Sequence, residues 1–299
     1  MSDLAILLHS PEINLQLVID GLLAGAVFAL AAYGMALVWG VMNIINVAQG
    51  ELVMLGGYAV ILLSAQGVPA LLAVPVAAAV MFVVGWGLYR LVIFRIIEHD
   101  LFVSVLVTFG LSILMQQLAN ELFGADVRTL ESGLRNVALM GGRVTVAGLR
   151  LIAFAAALLL GGALALFLRY SRAGQAIRAT AQNARAARVL GVDADRVYAI
   201  IFALNAAICG AAGGLVAMTW FIHPYLGLPY TVRAFMIVVV AGLGRLLPVL
   251  LAAGGLGIAE NYAGFLLGTQ YQTAFLYALL VVILVSRNLA LRRQRRYLK

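Results

Sequence analysis

The sequence predicts an all-α, polytopic transmembrane bundle of about eight or nine membrane segments, and three observations carry that reading. Hydrophobic residues make up 64% of the 299, charged residues only 11%, and the mean hydropathy is +1.05. Soluble chains run nearer to about 45–50% apolar and about 25% charged, so a water-soluble fold could not hide this much apolar surface. The apolar residues come in continuous runs rather than in the alternation of a β-barrel strand. At about 20 residues per span the length accommodates roughly eight or nine crossings with short connections, within a single transmembrane domain over 1–299.

Apolar segments fall at 15–40, 52–66, 69–94, 101–123, 150–170, 197–222, 231–247, 249–268 and 272–287. The first is long enough to span and stay. The residues before it carry Asp3 and His9 instead of a basic region, unlike a cleavable signal peptide. The second and seventh are short, as expected for half-helices or re-entrant pieces whose backbone lines a polar cavity. Glycine spacings such as Gly21-x3-Gly25 and Gly210-x3-Gly214 suit close helix packing in lipid and give no ground for an internal duplication.

Charge sets the orientation. The formal net charge is +8, and the chain's one lysine is Lys299, so arginine carries nearly all the basic charge. Short basic loops stay in the cytoplasm. That places the tail 287–299, with Arg292, Arg293, Arg295 and Arg296, in the cytoplasm. The loop 171–196 and the connection holding Arg90 and Arg95 belong there too. The loop 124–150, with mixed charges and a strand-like Val144-Thr145-Val146, falls outside by alternation. The side of the N-terminus depends on whether one early segment is re-entrant. A basic balance of this kind reports topology, and no nucleic-acid partner is implied.

Three features stand out against this apolar background. The stretch NIINVAQGELVMLGGY, 43–58, sets Asn43, Asn46, Gln49 and Glu51 beside Gly50, with Tyr58 at its end. Amides and a carboxylate at membrane depth need partners or a cavity, and glycines allow a helix break, so these residues are candidates to line a solute pathway. An ordinary cytoplasmic turn capped by polar residues accounts for the bare pattern equally well.

The second feature is the cytoplasmic stretch 171–200. Good helix formers predict one short helix from Gln175 to Leu190, closed by Gly191 as a C′ residue, with Asp193 capping the next helix. Arg178, Arg185 and Arg188 fall on one side of such a helix, beside a small-residue patch of Ala186, Ala187 and Leu190. That suits docking into a partner's groove, although a basic loop touching only lipid headgroups would look similar.

The third is a set of isolated charges: Asp20, Glu51, Arg233, Arg245 and Glu260. Such residues default to paired or functional positions. Arg233 and Arg245 lie near predicted boundaries, where snorkelling accounts for them. Glu260 is deeper and joins the candidate pathway residues. Trp39, Trp86 and Trp220 lie near span ends and read as interfacial anchors. His223-Pro224 reads as a turn, and Cys209 as a small buried packing residue.

Some chemistries lack their residues. A phosphate-binding Walker A loop needs a lysine, as does a Schiff base, and the sole lysine is terminal. The sequence holds no HExxH pair and no cysteine cluster for zinc. If ATP drives this protein, another subunit must hold it.

At these segments the chain resembles the permease subunits of the branched-chain amino acid ATP-binding cassette (ABC) importers, a family that includes urea and amide importers. NIINVAQGELVMLGGY is similar to the family pattern Asn-(Leu/Ile)-x-Asn-Phe-Ala-His-Gly-Glu followed by Leu-Gly-Ala-Tyr. SRAGQAIRATAQNARAARVLGVDADRV resembles its cytoplasmic loop, and AGLGRLLPVLLAAGGLGIAE its last glycine-rich stretch. Arg185-Ala186-Ala187-x3-Gly191 stands where ABC importers carry the EAA-x3-G coupling helix, with arginine in place of glutamate.

The resemblance implies a coupling helix built from Arg178, Asn183, Arg185, Ala186, Ala187, Arg188, Gly191 and Asp193. It implies as partners two ABC ATPase subunits, a second homologous permease (or a second copy of this chain), an extracytoplasmic solute-binding protein and the lipid bilayer. ATP and magnesium would reside in the ATPase subunits, and this chain would bind no cofactor or metal and catalyse no reaction. The location implied is the bacterial inner membrane, and the cargo a branched-chain or hydrophobic amino acid or a related small solute. Gln49 for the usual histidine, Val47 for phenylalanine, Arg245 for serine and Pro248 one place late are departures that bear on substrate. Two other readings are an ion-coupled secondary transporter, with Glu51 or Glu260 carrying a proton, and a polytopic membrane enzyme.

Overall fold

The computed structural model describes residues 7, 9–97, 99–130, 136–139, 144–242 and 246–297. Its helices are α1 (Pro11–Met42), α2 (Gln49–Ala65), α3 (Ala70–Leu91), α4 (Leu101–Phe123), α5 (Gly148–Tyr170), α6 (Arg172–Gln182), α7 (Ala184–Val189), α8 (Ala194–Thr219), α9 (Gly227–Ala241), α10 (Leu246–Leu267) and α11 (Gln272–Tyr297). A two-stranded antiparallel hairpin, β1 (Asn136–Leu139) and β2 (Val144–Ala147), lies between α4 and α5, where the strand-like sequence stands. Among the described residues, seven helical stretches are long and apolar enough to cross a membrane, and α2 and α9 are the two shorter apolar helices. These two correspond to the segments expected to be short. The all-α polytopic fold is the observed one.

The core is built around α1 and α8. Of the apolar windows, 94% of that in α1 and 78% of that in α8 is buried within the protein, against 28% in α3 and 6% in α11. Lipid is as apolar as leucine, so what distinguishes a central helix is small residues that let backbones approach. A Cβ on Gly21 or Gly25 would run into the backbone of α10, and one on Gly56 into Gly210. The recurring glycine spacings are therefore helix crossings. Gly56 lies against Gly210 and Val60 against Gly214, so α2 runs parallel to α8, whereas Val74 against Gly214 and Gly85 against Ala206 make α3 antiparallel to it.

The bundle has two distinct ends. Gln16 Nε2 donates to the Thr145 carbonyl at 2.9 Å, and Arg150 pairs with Asp20 at 3.0 Å, so the start of α1 sits beside the hairpin. Arg128 and Ile222 exchange backbone hydrogen bonds at 2.8 Å, fastening the α8–α9 connection to the same end. The arginine-rich α6–α7 segment lies at the other end, after α5 has crossed. The start of α1 is thus opposite the arginine-rich segment, which answers the question the sequence leaves open.

Several boundaries differ from expectation. The predicted helix 175–190 is two helices, because Asn183 adopts an extended conformation and its Oδ1 accepts from Ala186 N at 3.0 Å, capping α7 anew. An asparagine in a run of alanines and arginines competes for the backbone and starts a new helix. The predicted segment 231–247 begins earlier, at Gly227, and ends at Ala241 before Gly242, whose φ is +80°. The last helix continues through Tyr297, past the predicted tail boundary, because arginines and leucines there are good helix formers. Arg245 lies outside the described residues, as do Glu131, Arg135 and Arg143, and the side chains of Arg292, Arg293, Arg295 and Arg296 are not among those described.

Candidate functional site

Two regions gather the candidate residues, and the structure sorts them differently from the sequence. The first is the break between α1 and α2. Helix α1 ends where Asn43 takes a left-handed conformation at φ 54°, and the chain stays non-helical until Ala48. Exposed backbone at membrane depth is costly, so its polar groups must be satisfied by protein. Thr231 of α9 does this twice, accepting from Gly50 N at 2.8 Å and donating to the Val47 carbonyl at 2.9 Å. Thr108 of α4 accepts from Val47 N at 3.0 Å.

Asn46, Gln49 and Glu51 are buried in this break, and only Asn43 of the polar set is exposed. Gln49 Nε2 donates to the Ala31 carbonyl at 2.8 Å and lies 2.8 Å from Asn205 Oδ1 and 3.0 Å from Cys209 Sγ. Its Oε1 accepts from Asn46 Nδ2 at 3.2 Å. Glu51 accepts from Ser112 Oγ at 3.1 Å, and its carboxylate packs where a side chain on Gly227 would stand. A Cβ on Gly50 would in turn meet the Gly227 carbonyl. Tyr58 stacks on Phe123 with ring centroids 4.2 Å apart. These groups form a closed polar clasp joining α1, α2, α4, α8 and α9. Cys209 is fully buried, as expected, but also accepts a hydrogen bond.

The second region is a cavity of about 220 Å³ at the hairpin end, between α1, α9, α10 and the α8–α9 connection. Glu260 lines it together with Arg233, Phe28, Trp220, Tyr230 and Gln272. Arg233 does not snorkel. Its Nε donates to both Glu260 oxygens, at 2.9 and 3.1 Å, and the two side chains are only 17% and 9% exposed. Its guanidinium carbon lies 4.9 Å from the centre of the Phe28 ring and 5.2 Å from that of Tyr230. Trp220 is not a bare interfacial anchor either: it stacks on Phe28 at 6.3 Å and carries Arg150 5.7 Å above its ring. The sequence signals here were a lone arginine at a boundary and an aromatic at a helix end, neither of which announces a cavity.

At the opposite end the predicted coupling residues split. Arg178 lies on α6 and lines a groove with Leu37, Arg169 and Ile177, whereas Arg185 and Arg188 belong to α7. Asn183 caps α7. Ala187 is buried and anchors the turn, while Ala186 faces solvent. Gly191 has φ +86°, and Val192 N donates to the Ala187 carbonyl at 3.0 Å, the closure expected of a C′ glycine. Asp193 Oδ1 accepts from Arg196 N at 3.0 Å and caps α8, also as expected. Val189 and Leu190 are each 83% exposed at the tip. Leu190 stands in the expected patch, and Val189 was missed because hydropathy alone cannot tell an exposed valine from a buried one.

This two-ended arrangement can be set beside known proteins. The family described as "Branched-chain amino acid transport system / permease component" matches residues 17–284. The chain belongs to this permease family. The chain is 28% identical over 285 residues to the high-affinity branched-chain amino acid transport system permease protein LivH of Salmonella typhimurium, covering 91% of this chain and 92% of that protein. It is 29% identical over 294 residues to the corresponding permease protein BraD of Pseudomonas aeruginosa, covering 93% and 95%. The probable branched-chain amino acid permease LivH of Methanocaldococcus jannaschii is 24% identical over 276 residues, with 89% and 86% covered. No solved structure matches the chain. The permease is therefore a multi-pass inner-membrane component of a transport system. Its similarity runs nearly end to end, so the clasp, the cavity and the α6–α7 segment all fall within the matched region.

Proposed function

We propose that this permease is one membrane subunit of an ABC importer for branched-chain or other hydrophobic amino acids, or a related small solute such as urea or an amide. A second permease, homologous or identical, completes the translocation unit. An extracytoplasmic solute-binding protein delivers cargo at the hairpin end. Two ATPase subunits hold ATP and magnesium and dock at the arginine-rich end, which is cytoplasmic by its charge. The permease binds no cofactor of its own and contributes a path and a lever rather than a reaction.

The observation that carries this reading is α7. A short helix, capped at both ends, presents Val189 and Leu190 bare at its tip with Arg185 and Arg188 beside them. Apolar side chains so exposed on an otherwise basic surface fit a partner's groove better than a headgroup layer. The substrate class rests on the relatives, which are branched-chain amino acid transport system permeases. A proton carrier at Glu51 or Glu260 fits less well, since Glu51 is enclosed in the clasp and Glu260 is held by Arg233.

The test is an affinity pull-down of the tagged permease from mild detergent with mass spectrometry of what co-purifies. Recovery of ATPase subunits and a second permease supports the importer. Reversing charge at Arg185 and Arg188 should weaken ATPase recovery while the chain stays inserted. Recovery of the chain alone, in a detergent that preserves known complexes, would favour ion-coupled transport.

A further inference from the structure

The cavity at the hairpin end holds a charge pair that is only half used. Arg233 commits its Nε to Glu260, and among the described residues its two terminal nitrogens make no hydrogen bond. A guanidinium presents two binding edges, and the free one is a planar fork matched to a carboxylate. The rings of Phe28 and Tyr230 hold that plane in place, at 4.9 and 5.2 Å from the guanidinium carbon. Glu260 lines the same cavity, as does Gln272, whose Nε2 donates to the Glu260 carbonyl at 3.3 Å. The rest of the wall includes Ala24, Leu226 and Gly257, small or apolar, with space for an aliphatic side chain.

The charges select their ligand. A buried, already balanced ion pair takes in a ligand without net uncompensated charge only if the entering molecule brings both signs. An anion on the free fork alone would set two carboxylates against one guanidinium, and a cation beside Glu260 would set two cations against one carboxylate. We propose that this cavity is a substrate-binding site of the permease, in which Arg233 takes the carboxylate and Glu260 the ammonium group of an α-amino acid zwitterion. The proposal rests on the importer reading and narrows its cargo: urea and simple amides lack the two charges.

The experiment uses the complete complex in proteoliposomes with leucine-loaded binding protein, comparing wild type with the double variant Arg233→Met, Glu260→Met. That variant removes both charges and leaves neither unpaired. If the pair were only a clasp between helices, uptake would persist, since apolar replacement of a buried pair is well tolerated. The site predicts that leucine uptake falls on the order of tenfold or more while ATP hydrolysis stimulated by the binding protein persists. Uptake within about twofold of wild type overturns the proposal. Absence of stimulated hydrolysis in the wild type would instead overturn the importer reading.

Should the double variant fail to assemble, the native charges can be probed by fluorescence. With Trp39→Phe and Trp86→Phe, Trp220 in the cavity wall is the remaining tryptophan. Titration of the full chain with leucine should give a saturable change that neither 4-methylpentanoate nor 3-methylbutylamine reproduces. No response to leucine, or an equal response to either analogue, overturns the site.

Discussion

Replacing Gln49 by leucine is the sharpest perturbation of the clasp. The side chains are close in volume, so the change is mainly the loss of hydrogen bonds. Gln49 Nε2 lies 2.8 Å from both the Ala31 carbonyl and Asn205 Oδ1, and Gln49 Oε1 receives Asn46 Nδ2 at 3.2 Å. The Ala31 carbonyl keeps its helical partner, but the Asn46 amide is stranded and the Asn205 oxygen keeps only the weak Cys209 thiol donor at 3.7 Å. Asn205 Nδ2 already has no partner among the described residues, so that side chain would be left with the Cys209 thiol alone. A stranded buried group costs about 1–3 kcal/mol in water-soluble proteins. Interhelical bonds within membranes average about 0.6 and reach about 1.7 kcal/mol. Losing these two bonds at the membrane scale gives a loss of about 1–3 kcal/mol. Thermal unfolding of the detergent-solubilised chain measures it. Adding Asn205→Leu should restore part of the loss, because removing both partners leaves less unpaired than removing one. Gln49→His should fall between wild type and leucine, since a neutral imidazole keeps one donor and one acceptor. Strictly additive single and double variants, or a histidine worse than leucine, would refute the clasp.

Other consequences follow from burial. Arg233→Ala or Glu260→Ala alone leaves a buried charge unpaired and should destabilise by about 3–5 kcal/mol. Asp20→Ala at the more exposed pair with Arg150 (21% and 33%) should cost under about 1 kcal/mol by the same unfolding assay. Gly56→Leu drives a side chain into the Gly210 backbone and should abolish the monodisperse peak in size-exclusion chromatography, whereas Gly162→Leu, with nothing within 4 Å of its Cβ, should leave it intact. Val189→Asp with Leu190→Asp alters two residues that are each 83% exposed, so unfolding should be unchanged while recovery of ATPase subunits is lost.

What the sequence could and could not reveal follows from the kind of signal each element emits. Hydropathy located every span, including the short α2 and α9, because an apolar run reads the same whether it meets lipid or protein. For that reason it could not rank them. An apolar run alone does not separate α1, at the centre, from α11, at the edge; the glycines of α1, which α11 lacks, do. The glycines gave the crossings, since a missing side chain at helical spacing has few other uses in lipid. The caps Asn183, Gly191 and Asp193 are local chemistry, and two of the three were assigned from sequence alone. The third, Asn183, broke a helix that propensity ran straight through. Pairings between distant residues were illegible: Thr231 and Thr108 look unremarkable until they satisfy the α1–α2 break. Arg233 meets Glu260 only through the fold that brings α9 against α10.

The two candidate sites are joined by one continuous element. Helix α8 starts at the cap beside α7 and ends one residue before Trp220 in the cavity wall, and its 26 residues span about 39 Å at 1.5 Å per residue. It is also the helix against which α2 and α3 pack through glycines, so it cannot bend without opening those crossings. A displacement imposed on α7 by closing ATPase subunits would therefore pass along α8 as a rigid shift rather than dissipate in a loop. At its far end Trp220 stacks on Phe28, whose ring supports the Arg233 guanidinium. Under the importer reading, the docking tip would act on the charge pair through α8 and this aromatic contact. Phe28→Ala would then uncouple the two: it should leave ATPase recovery and stimulated hydrolysis near wild type while lowering leucine moved per ATP. If uptake and hydrolysis instead fell in proportion, or neither changed, coupling does not run through this contact.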